Sequence, residues 1–265
     1  MLAAAGLVLY AFWLEPASLR LSRYDVPDNP SPLKGLSIAV ISDLHAGSTY
    51  IDEGKIDQVV ALTNAARPDL ILLTGDYVVS MAPMLGGRHM PVQMIAAHLK
   101  PLRAPLGVYA VIGNHDRWED AGGISAAFRS VGIVVLENQH VAFSTPRGQL
   151  FLAGIGDFRT RASRPAQALA GVAPETPVLC FTHTQDVFPY LPPTCALTVA
   201  GHTHGGQVWL PFVGRLKVPS GHGQRYAAGY VREGGKSLFV STGIGTSMLP
   251  VRFGVPPEVS FLRLK

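Results

Sequence analysis

The sequence has little charge and few cysteines. Only 15% of its 265 residues are Asp, Glu, Lys or Arg, and only 2 are cysteine, whereas charged residues make up about 25% of an average soluble domain. Two cysteines are too few for a small scaffold held together by disulfides. Intrinsic disorder requires low hydrophobicity and high net charge, so a chain that is 48% hydrophobic with a net charge of +4 is expected to fold.

Other features that the sequence lacks exclude further classes of protein and of binding partner. Lys and Arg are scattered without a basic run or a groove-reading motif, so no nucleic-acid partner is expected despite a pI near 9.2. The mild positive charge suits an anionic phosphate substrate or an anionic membrane surface. The 28 glycines follow no period, which excludes a collagen-like chain. No linker is visible, and the length suits one domain.

An uncharged segment, MLAAAGLVLYAFWL, occupies residues 1–14. As a helix it would be about 21 Å long, shorter than the roughly 30 Å hydrocarbon core of a bilayer. It lacks the basic residues that precede the apolar part of a secretory signal, because the first basic residue is Arg20. Three interpretations stay open: the remnant of a longer membrane anchor, an interfacial helix with Tyr10 and Trp13 at the headgroups, or a helix packed on the domain.

From Leu36 onward, short apolar runs alternate with amphipathic stretches. Near-continuous apolar runs are typical of strands that are covered on both faces. Strands are predicted over residues 36–42, 69–74, 107–112, 177–182, 196–200 and 237–241, and helices over residues 51–67, 90–100 and 121–131. This alternation indicates an α/β architecture with helices on both sides of a sheet. Beyond Ile133 the apolar runs lie closer together, which indicates that part of the sheet is antiparallel.

Five of these apolar runs lead directly into Asp, His or Asn. The residues at these ends are Asp43, His45, Asp76, Asn114, His115, Asp116, His183, His202 and His204. In an open α/β sheet, ligands bind at the carboxyl ends of the strands. All five endings are therefore expected to converge on one site.

The residue types at these ends favour a pair of metal ions. Asp43 and His45 are two residues apart, so in an extended segment their side chains point the same way, and His202 and His204 repeat that spacing. The set offers imidazoles, carboxylates and one amide but no thiolate, which favours Mn, Fe or Zn over an iron–sulfur cluster or a structural zinc site. A carboxylate between two such clusters can bridge two metal ions about 3.5–4 Å apart, as in two-metal phosphoryl chemistry.

In their order along the chain, the five blocks resemble the signature of the calcineurin-like metallophosphoesterases, which is D-x-H, G-D, G-N-H-[DE], a lone His and G-H-x-H. The sequence carries Asp43-Leu44-His45, Gly75-Asp76, Gly113-Asn114-His115-Asp116, His183 and Gly201-His202-Thr203-His204. The resemblance extends from Leu36 to about Ser241. Within the family, the sequence looks most like a bacterial membrane-associated branch. The features that indicate this branch are the apolar N-terminus, Glu15-Pro16 and the run GHTHGGQ at residues 201–207.

The sequence departs from the family pattern at Gln185, where relatives often have proline two residues after the lone histidine. The ligand His183 is retained at this block. The shape of the loop that follows it, and with it the fit of the substrate, is expected to differ.

The resemblance implies a four-layer α/β/β/α sandwich with mixed sheets and two metal ions that share Asp76. One ion would be held by Asp43, His45, Asp76 and His204, and the other by Asp76, Asn114, His183 and His202. His115 would act as a general acid or as a donor that stabilises the transition state. Asp116 would orient the imidazole of His115.

The implied activity is hydrolysis of a phosphate monoester, diester or pyrophosphate by metal-activated hydroxide. The substrate would be a phosphorylated small molecule or a lipid-linked compound. An enzyme similar to a UDP-diacylglucosamine hydrolase, acting on a lipid-linked nucleotide pyrophosphate at the membrane, is the alternative, and a non-catalytic metal-binding scaffold is a lower one. Candidates to contact the substrate are His222, Arg225 and Arg252, and Arg161, Arg164 and Arg215 are further candidates to hold phosphate.

Residues 1–34 are predicted to form an apolar N-terminal segment and lead-in, and residues 35–265 a metallophosphoesterase domain. A membrane-associated or exported protein of a bacterium is expected, with a peripheral cytoplasmic location as the alternative. Cys180 lies within a predicted strand and Cys195 starts another. Buried thiols are therefore expected rather than a catalytic pair or a disulfide.

Overall fold

Two six-stranded sheets and a short hairpin contain all the strands in the described part of the chain. The computed structural model describes residues 2–79, 87–145 and 147–265. The strands are β1 (Arg20–Val26), β2 (Ser37–Ile41), β3 (Leu70–Leu73), β4 (Val108–Ala110), β5 (Val134–Val135), β6 (Gln139–Thr145), β7 (Gly148–Ile155), β8 (Val178–Thr184), β9 (Cys195–Gly201), β10 (Trp209–Leu210), β11 (Gly214–Arg215), β12 (Gly229–Glu233), β13 (Lys236–Val240) and β14 (Glu258–Leu264).

The helices lie mainly in the first half of the chain. They are α1 (Leu2–Leu9), α2 (Glu15–Ala17), α3 (Glu53–Ala66), α4 (Val92–Leu99), α5 (Asn114–Ser130) and α6 (Pro165–Ala168), with a π-helix at Tyr10–Leu14 and 3-10 helices at Gln185–Tyr190 and His204–Gly206. The N-terminus of α3 is capped by Asp52, whose carboxylate accepts the Lys55 N–H at 2.8 Å. The same helix ends before Pro68, because Arg67 adopts a left-handed conformation with φ 52°.

Both sheets are mixed. The first has the order β1-β14-β2-β3-β4-β5 and the second the order β12-β13-β9-β8-β7-β6. In the first sheet β2 to β5 are parallel and β14 runs antiparallel to β2. In the second sheet β13, β9, β8 and β7 are parallel, while β6 and β12 are antiparallel edges. The parallel strands of each sheet therefore bring their carboxyl ends to one edge.

Alternate residues of each strand enter different cores, which explains the unbroken apolar runs. In β2, Ala39 and Ile41 pack against α3, α4 and α5, whereas Ile38 and Val40 face the second sheet. In β8, Phe181 enters the core between the sheets and Cys180 the core on the outer face. The predicted four-layer α/β/β/α sandwich with mixed sheets is thus confirmed. Its second outer layer is thin, since it consists of α6 and the 3-10 helix Gln185–Tyr190.

Helix α5 begins earlier than predicted. The sequence indicated a helix over residues 121–131, but α5 starts at Asn114, within the third motif block. Its first turn has few apolar residues and is instead fixed by Asp116, which accepts the Gly113 N–H at 2.9 Å. A non-helical residue, Asp120, interrupts the helix. The periodic apolar pattern is visible only beyond this break.

Only the end of the N-terminal segment, from Tyr10 onward, packs on the domain, whereas residues 4–9 are exposed. The Ala11 carbonyl accepts the Arg252 N–H at 3.0 Å, and the ring of Tyr10 lies 6.0 Å from that of Phe253. The buried carboxylate of Glu15 accepts the backbone N–H groups of Gly254 and Val255 at 2.9 and 2.6 Å. The predicted membrane-associated or exported location is wrong, because no helix within the described residues is long and apolar enough to cross a bilayer.

The two cysteines form a disulfide, contrary to the expectation of free thiols. Cys180 in β8 and Cys195 at the start of β9 are bonded, with their Cα atoms 5.5 Å apart. Both are fully buried in the core beneath α6. The sequence placed each of them correctly in a strand. It did not show that β8 and β9 are neighbouring strands, which brings the two sulfur atoms together although Cys195 is paired with Val178 and Cys180 with Thr198.

Candidate metal centre and active site

The loops that carry the predicted ligands extend the pairing of β2 and β3 beyond the ends of these strands. Asp43 donates its N–H to the Gly75 carbonyl at 3.0 Å, and His45 donates to the Asp76 carbonyl at 2.9 Å. From the other side, the Gly245 N–H donates to the Asp43 carbonyl at 2.7 Å. Backbone hydrogen bonds therefore fix the first two motif blocks relative to each other.

Five of the predicted ligands have left-handed backbone conformations. Their φ angles lie between 45° and 72°, and the residues are Asp43, His45, Asp76, His202 and His204. Such a conformation is uncommon outside glycine and costs about 1–3 kcal/mol for each residue. Strain of this kind concentrates at functional sites because the surrounding structure must maintain it. Its repetition at five ligand positions points to a site that is shaped for function.

Two glycines allow the loops to approach each other. A Cβ atom on Gly75, which has φ 96°, would lie 2.7 Å from the Gly113 nitrogen and 2.8 Å from His183 Nδ1. A Cβ atom on Gly201 would lie 1.8 Å from Ser42 Oγ. Only glycine fits at either position, which accounts for the glycines beside the ligands in the sequence.

The predicted ligands converge in two groups of buried side chains. In the first, His45 Nε2 lies 3.1 Å from His204 Nε2, which in turn lies 3.5 Å from Asp43 Oδ1. In the second, His183 Nε2 lies 3.1 Å both from His202 Nδ1 and from Asn114 Oδ1. The ligand atoms of Asp43, His45 and His204 lie within 4.8 Å of one another, as do those of Asp76, His183 and His202, so each set could hold one metal ion.

Asp76 lies between the two groups. Its Oδ2 atom is 3.7 Å from His45 Nε2 and 3.2 Å from His183 Nε2. Its Oδ1 atom accepts the backbone N–H of His115 at 2.8 Å, which fixes the orientation of the carboxylate. One carboxylate oxygen therefore faces both groups.

The hydrogen bonds of the histidines fit a metal centre. His183 Nδ1 lies 2.8 Å from the Thr74 carbonyl and His204 Nδ1 lies 3.2 Å from the Gly245 carbonyl. A carbonyl only accepts, so each Nδ1 carries a proton and each Nε2 points into the centre, where its lone pair is available once a cation takes the place of any proton there. The Nε2 atom of His202 is buried without a hydrogen-bond partner in the described part of the protein. Converging lone pairs and carboxylate oxygens are the donors that a divalent cation requires.

The pKa values of the histidines also agree with a metal centre. Burial lowers the pKa of His45 and of His204 to about 3, so both imidazoles are neutral and able to coordinate. Burial opposes protonation of His183 as well, but the Asp76 carboxylate raises its pKa to about 10. The Asp76–His183 side of the centre therefore favours a positive charge, which a bound cation would supply.

His115 and Asp116 occupy different positions at the centre. The partly buried ring of His115 lies 4.8 Å from the ring of His45. The carboxylate of Asp116 is fully buried and accepts the backbone N–H groups of Asp76, Tyr77 and Gly113 at 2.7, 2.7 and 2.9 Å. Asp116 therefore holds the loop that carries Asp76. Its predicted role in orienting the His115 imidazole stays a prediction.

Comparison with known proteins identifies the family. Residues 36–206 match the sequence model of the calcineurin-like phosphoesterases. The chain belongs to the calcineurin-like phosphoesterases. It is 32% identical over 261 residues to phosphodiesterase YaeI of Escherichia coli (strain K12), an alignment that covers 96% of this chain and 92% of that protein.

Further similarities extend over most of the chain. The phosphoesterase is 29% identical to the uncharacterized metallophosphoesterase YkuE of Bacillus subtilis (strain 168), over all of this chain and 92% of that protein. The solved structure of the phosphopantetheinyl hydrolase PptH from Mycobacterium tuberculosis matches 82% of this chain and 94% of its own, with 12% identity and a TM-score of 0.46. The family model and the similarity to phosphodiesterase YaeI confirm the predicted family and a metal-dependent phosphoester hydrolase.

The structure places the three predicted substrate residues outside the two ligand groups. Arg252 is fully buried, and its guanidinium donates to the carbonyls of Thr242, Gly245 and Val255. A guanidinium committed to backbone carbonyls holds a loop, so Arg252 is corrected from a substrate contact to a structural residue. Arg225 is exposed and paired with Glu233 at 2.7 Å.

His222 packs against Tyr226, with ring centroids 5.1 Å apart. It lies in a loop that is tied to Asp186, whose carboxylate accepts from Ser220 Oγ at 2.6 Å and from the Gly221 N–H at 2.7 Å. Gln185, the departure from the family pattern, is buried at the start of the adjoining 3-10 helix. Substrate contacts by His222 and Arg225 stay predictions.

Two residues near the candidate metal centre of the phosphoesterase were not predicted from the sequence. β7 also ends in a buried carboxylate, Asp157, which accepts the hydroxyl of Thr184 next to His183. Arg159 follows two residues later, and its positive charge contributes, after burial, to the lowered pKa of His115 and of His202. A signal for Asp157 was present in the sequence. An apolar run ends there in Gly-Asp, at Gly156-Asp157, as another does at Gly75-Asp76, so this sixth strand ending could have been recognised.

Two cavities of the phosphoesterase adjoin the metal ligands. One, of about 300 Å³, reaches His204 and has a largely apolar lining that includes Val208, Leu216, Met248 and Leu249. The other, of about 520 Å³, reaches His202 and includes three arginines in its lining. A substrate bound at the centre could therefore extend one group into an apolar cavity and another into a cavity lined by arginines.

Proposed function

We propose that this phosphoesterase hydrolyses phosphodiester or pyrophosphate bonds with two metal ions bridged by Asp76. The observation that carries the proposal is the position of Asp76 Oδ2, 3.7 Å from His45 Nε2 and 3.2 Å from His183 Nε2. A carboxylate shared in this way is the feature that distinguishes a dinuclear centre from two separate sites.

Each ion would have a complete set of nitrogen and oxygen ligands. Asp43, His45, Asp76 and His204 would hold one, and Asp76, Asn114, His183 and His202 the other. When bound, the two ions supply Lewis acidity and lower the pKa of water, which provides the nucleophile. The absence of sulfur ligands favours Mn, Fe or Zn, alone or as a mixed pair.

His115 is the proposed proton donor to the leaving oxygen. Its backbone is fixed to Asp76 Oδ1, so the imidazole stays at the edge of the centre. Burial lowers the pKa of His115, although Asp76 opposes this. Only the protonated fraction of the imidazole can transfer a proton, and a lowered pKa makes that fraction smaller but more acidic, so catalysis through His115 should weaken as the pH rises.

Direct hydrolysis assays test the proposal. Bis(p-nitrophenyl) phosphate and p-nitrophenyl phosphate would be compared with Mn²⁺, Zn²⁺ and Fe²⁺. Loss of a ligand should cost more than the roughly 10–100-fold that follows loss of a residue supporting a ligand. We therefore expect Asp76→Asn and His204→Ala to lose more than a hundredfold in kcat/KM, while the exposed control Asp57→Asn keeps wild-type activity. Full activity in either ligand variant would refute the mechanism.

A second candidate is a lipid-linked nucleotide pyrophosphate as substrate. The apolar cavity at His204 favours it, because Leu216, Met248 and Leu249 are 59%, 70% and 46% exposed around it. Burial of each CH₂ group is worth about 0.8 kcal/mol, so KM should fall with the length of an alkyl arm.

A chain-length series tests this candidate. Methyl, butyl and octyl p-nitrophenyl phosphodiesters should show progressively lower KM, with a smaller gradient in Leu249→Ser and an unchanged one in Leu7→Ser, a control on α1. Equal KM values along the series would exclude an apolar arm in this cavity.

A further inference from the structure

Asp157 is a buried carboxylate beside the candidate metal centre that is not among the proposed ligands. It follows the end of β7, and its side chain is fully buried. Its Oδ1 atom accepts the hydroxyl of Thr184, the residue that follows the proposed ligand His183. Its Oδ2 atom accepts the backbone N–H and the hydroxyl of Thr160, both at 2.8 Å. Both oxygens therefore act as acceptors, as those of an ionised carboxylate do.

The backbone around His183 lacks the regular pairing of the rest of β8. Toward β7, the paired residues end at Ile155 and Thr182. Toward β9, the register shifts between Phe181 and Thr184, so β8 has one residue more than β9 in this stretch. A bulge of this kind redirects side chains and is common next to active sites. Regular pairing with the neighbouring strands therefore does not set the position of His183.

Side-chain hydrogen bonds hold this bulge in place. The Thr74 carbonyl lies 2.8 Å from His183 Nδ1 and orients the ring. The hydroxyl of Thr184 donates to Asp157 and holds the backbone one residue further on. Consecutive Cα atoms are about 3.8 Å apart, so a shift of Thr184 is passed directly to His183. Asp157 thus connects β7 to the ligand segment at the point where the backbone pairing of the two strands has ended.

The buried charge at the centre is mainly negative. Four carboxylates are buried at or beside it, those of Asp43, Asp76, Asp116 and Asp157. The buried guanidinium of Arg252 lies on the side of His204. On the other side, the partners of Asp157 are neutral groups of Thr160 and Thr184. A buried negative charge with neutral partners is costly unless a cation lies nearby, and an ion at His183 would be such a cation.

We propose that Asp157 is a positioning residue for the metal centre. Through Thr184 it fixes the bulge that directs His183 at one ion, and its buried charge stabilises that ion. This inference rests on the proposed function, because the ion in question is the one assigned there to Asp76, Asn114, His183 and His202.

Metal titration of two conservative variants tests this role. Thr184→Val removes the hydroxyl and keeps the shape of the side chain, whereas Asp157→Asn removes the charge and keeps the shape. Residues that support a ligand contribute about 10–100-fold to metal affinity. We therefore expect each variant to lower the affinity for one Mn²⁺ by about tenfold or more and to leave the other unchanged. Calorimetry on metal-depleted protein measures both affinities.

Asp69→Asn is the matched control. Its carboxylate also accepts an N–H and a hydroxyl, both from Ser37, at 2.8 and 2.7 Å. These two residues lie where β2 and β3 begin, at the opposite end of the strands from the proposed ligands. Asp69→Asn should therefore bind Mn²⁺ with wild-type affinity.

Ligand variants show which ion is affected. In a His204→Ala background the ion at His183 keeps its ligands, so adding Asp157→Asn should lower its affinity about tenfold. In a His183→Ala background the same addition should not change the affinity for the remaining ion. A fall of equal size in both backgrounds would overturn the inference, because Asp157 would then not act through His183.

The Mn²⁺ dependence of activity gives a readout that a purely structural role would not move. Excess Mn²⁺ should restore kcat in Asp157→Asn and Thr184→Val, because the ion returns to a site whose ligands are all present. It should not restore kcat in Asp76→Asn, which lacks a ligand. Wild-type Mn²⁺ affinity in both Asp157→Asn and Thr184→Val would overturn the inference.

The two proposals can fail separately. If the wild-type protein cleaves no phosphoester but Mn²⁺ affinity falls in Asp157→Asn and Thr184→Val, the proposed function fails and the role of Asp157 stands. If the wild-type protein cleaves bis(p-nitrophenyl) phosphate with two ions bound and both variants keep wild-type Mn²⁺ affinity, the role of Asp157 fails and the proposed function stands.

Discussion

His204 and Arg252 donate hydrogen bonds to the same backbone carbonyl, that of Gly245. The His204 Nδ1 atom lies 3.2 Å from this oxygen and the Arg252 Nη2 atom 2.6 Å. The backbone of Arg252 is in turn bonded to Ala11, at the end of the N-terminal segment. A continuous set of contacts thus leads from the N-terminal segment to a proposed metal ligand.

Substitution of Arg252 should weaken metal binding. Arg252→Lys keeps the charge but loses the fork of donors that holds the Gly245 carbonyl, so His204 loses part of its orientation. Residues that support a ligand contribute about 10–100-fold to metal affinity. We expect a fall of that size in Mn²⁺ affinity, measured by calorimetry, with no comparable change in Arg263→Lys. Unchanged affinity in Arg252→Lys, in protein with a native circular dichroism spectrum, would contradict this role.

Reduction of the disulfide should destabilise the protein. The bond between Cys180 and Cys195 closes a loop with a sequence separation of 15 residues, for which the loss of chain entropy predicts about 3 kcal/mol. Urea unfolding with and without reductant should show a difference near that value. The double variant Cys180→Ala/Cys195→Ala should be insensitive to reductant, and equal unfolding midpoints for oxidised and reduced wild type would contradict the expectation.

Stability should fall at alkaline pH through Tyr24. Its hydroxyl donates to Glu258 at 2.9 Å, and burial together with the Glu258 charge raises the pKa of Tyr24 to about 12. The unfolded chain loses this proton near the ordinary pKa of 10, whereas the folded protein keeps it. The contribution of Tyr24 is therefore fully present below pH 10 and is lost as the pH rises toward 12.

Urea unfolding between pH 9 and pH 12 measures this effect. Tyr24→Phe should flatten the decline in unfolding free energy, because phenylalanine has no proton to lose. Tyr230→Phe, whose hydroxyl is bonded to Ser237 rather than to a carboxylate, should keep the wild-type slope. Equal slopes for wild type and Tyr24→Phe would show that Tyr24 does not contribute.

Much of the fold and of the centre could be predicted from local sequence. Strands such as β2 and β8 are covered on both faces, so their apolar runs are unbroken and their ends are sharply marked by His, Asp and Gly. Asp43, Asp76 and His202 were predicted to converge on one site for this reason, and they do so from the strand ends of both sheets. Local pattern is sufficient when a residue's position follows from the strand that precedes it.

The features that were missed depend on contacts between distant segments. The disulfide requires Cys180 and Cys195 to meet across neighbouring strands. Arg252 was expected to face the substrate because arginine binds phosphate, but loop carbonyls around Gly245 occupy its donors. Arg159 belongs to an irregular segment after β7, where periodicity gives no information. Strand pairing and loop packing determine the disulfide and the positions of Arg252 and Arg159. A local sequence pattern does not encode either of these.

The number of metal ions and the coupling between them test the central claim most directly. Metal-depleted protein would be titrated with Mn²⁺ and followed by electron paramagnetic resonance. A carboxylate shared through Asp76 should give two ions per chain and an exchange-coupled dimanganese spectrum, and Asp76→Asn should lose the coupling. One ion per chain, or two ions without coupling in the wild-type protein, would contradict a dinuclear centre.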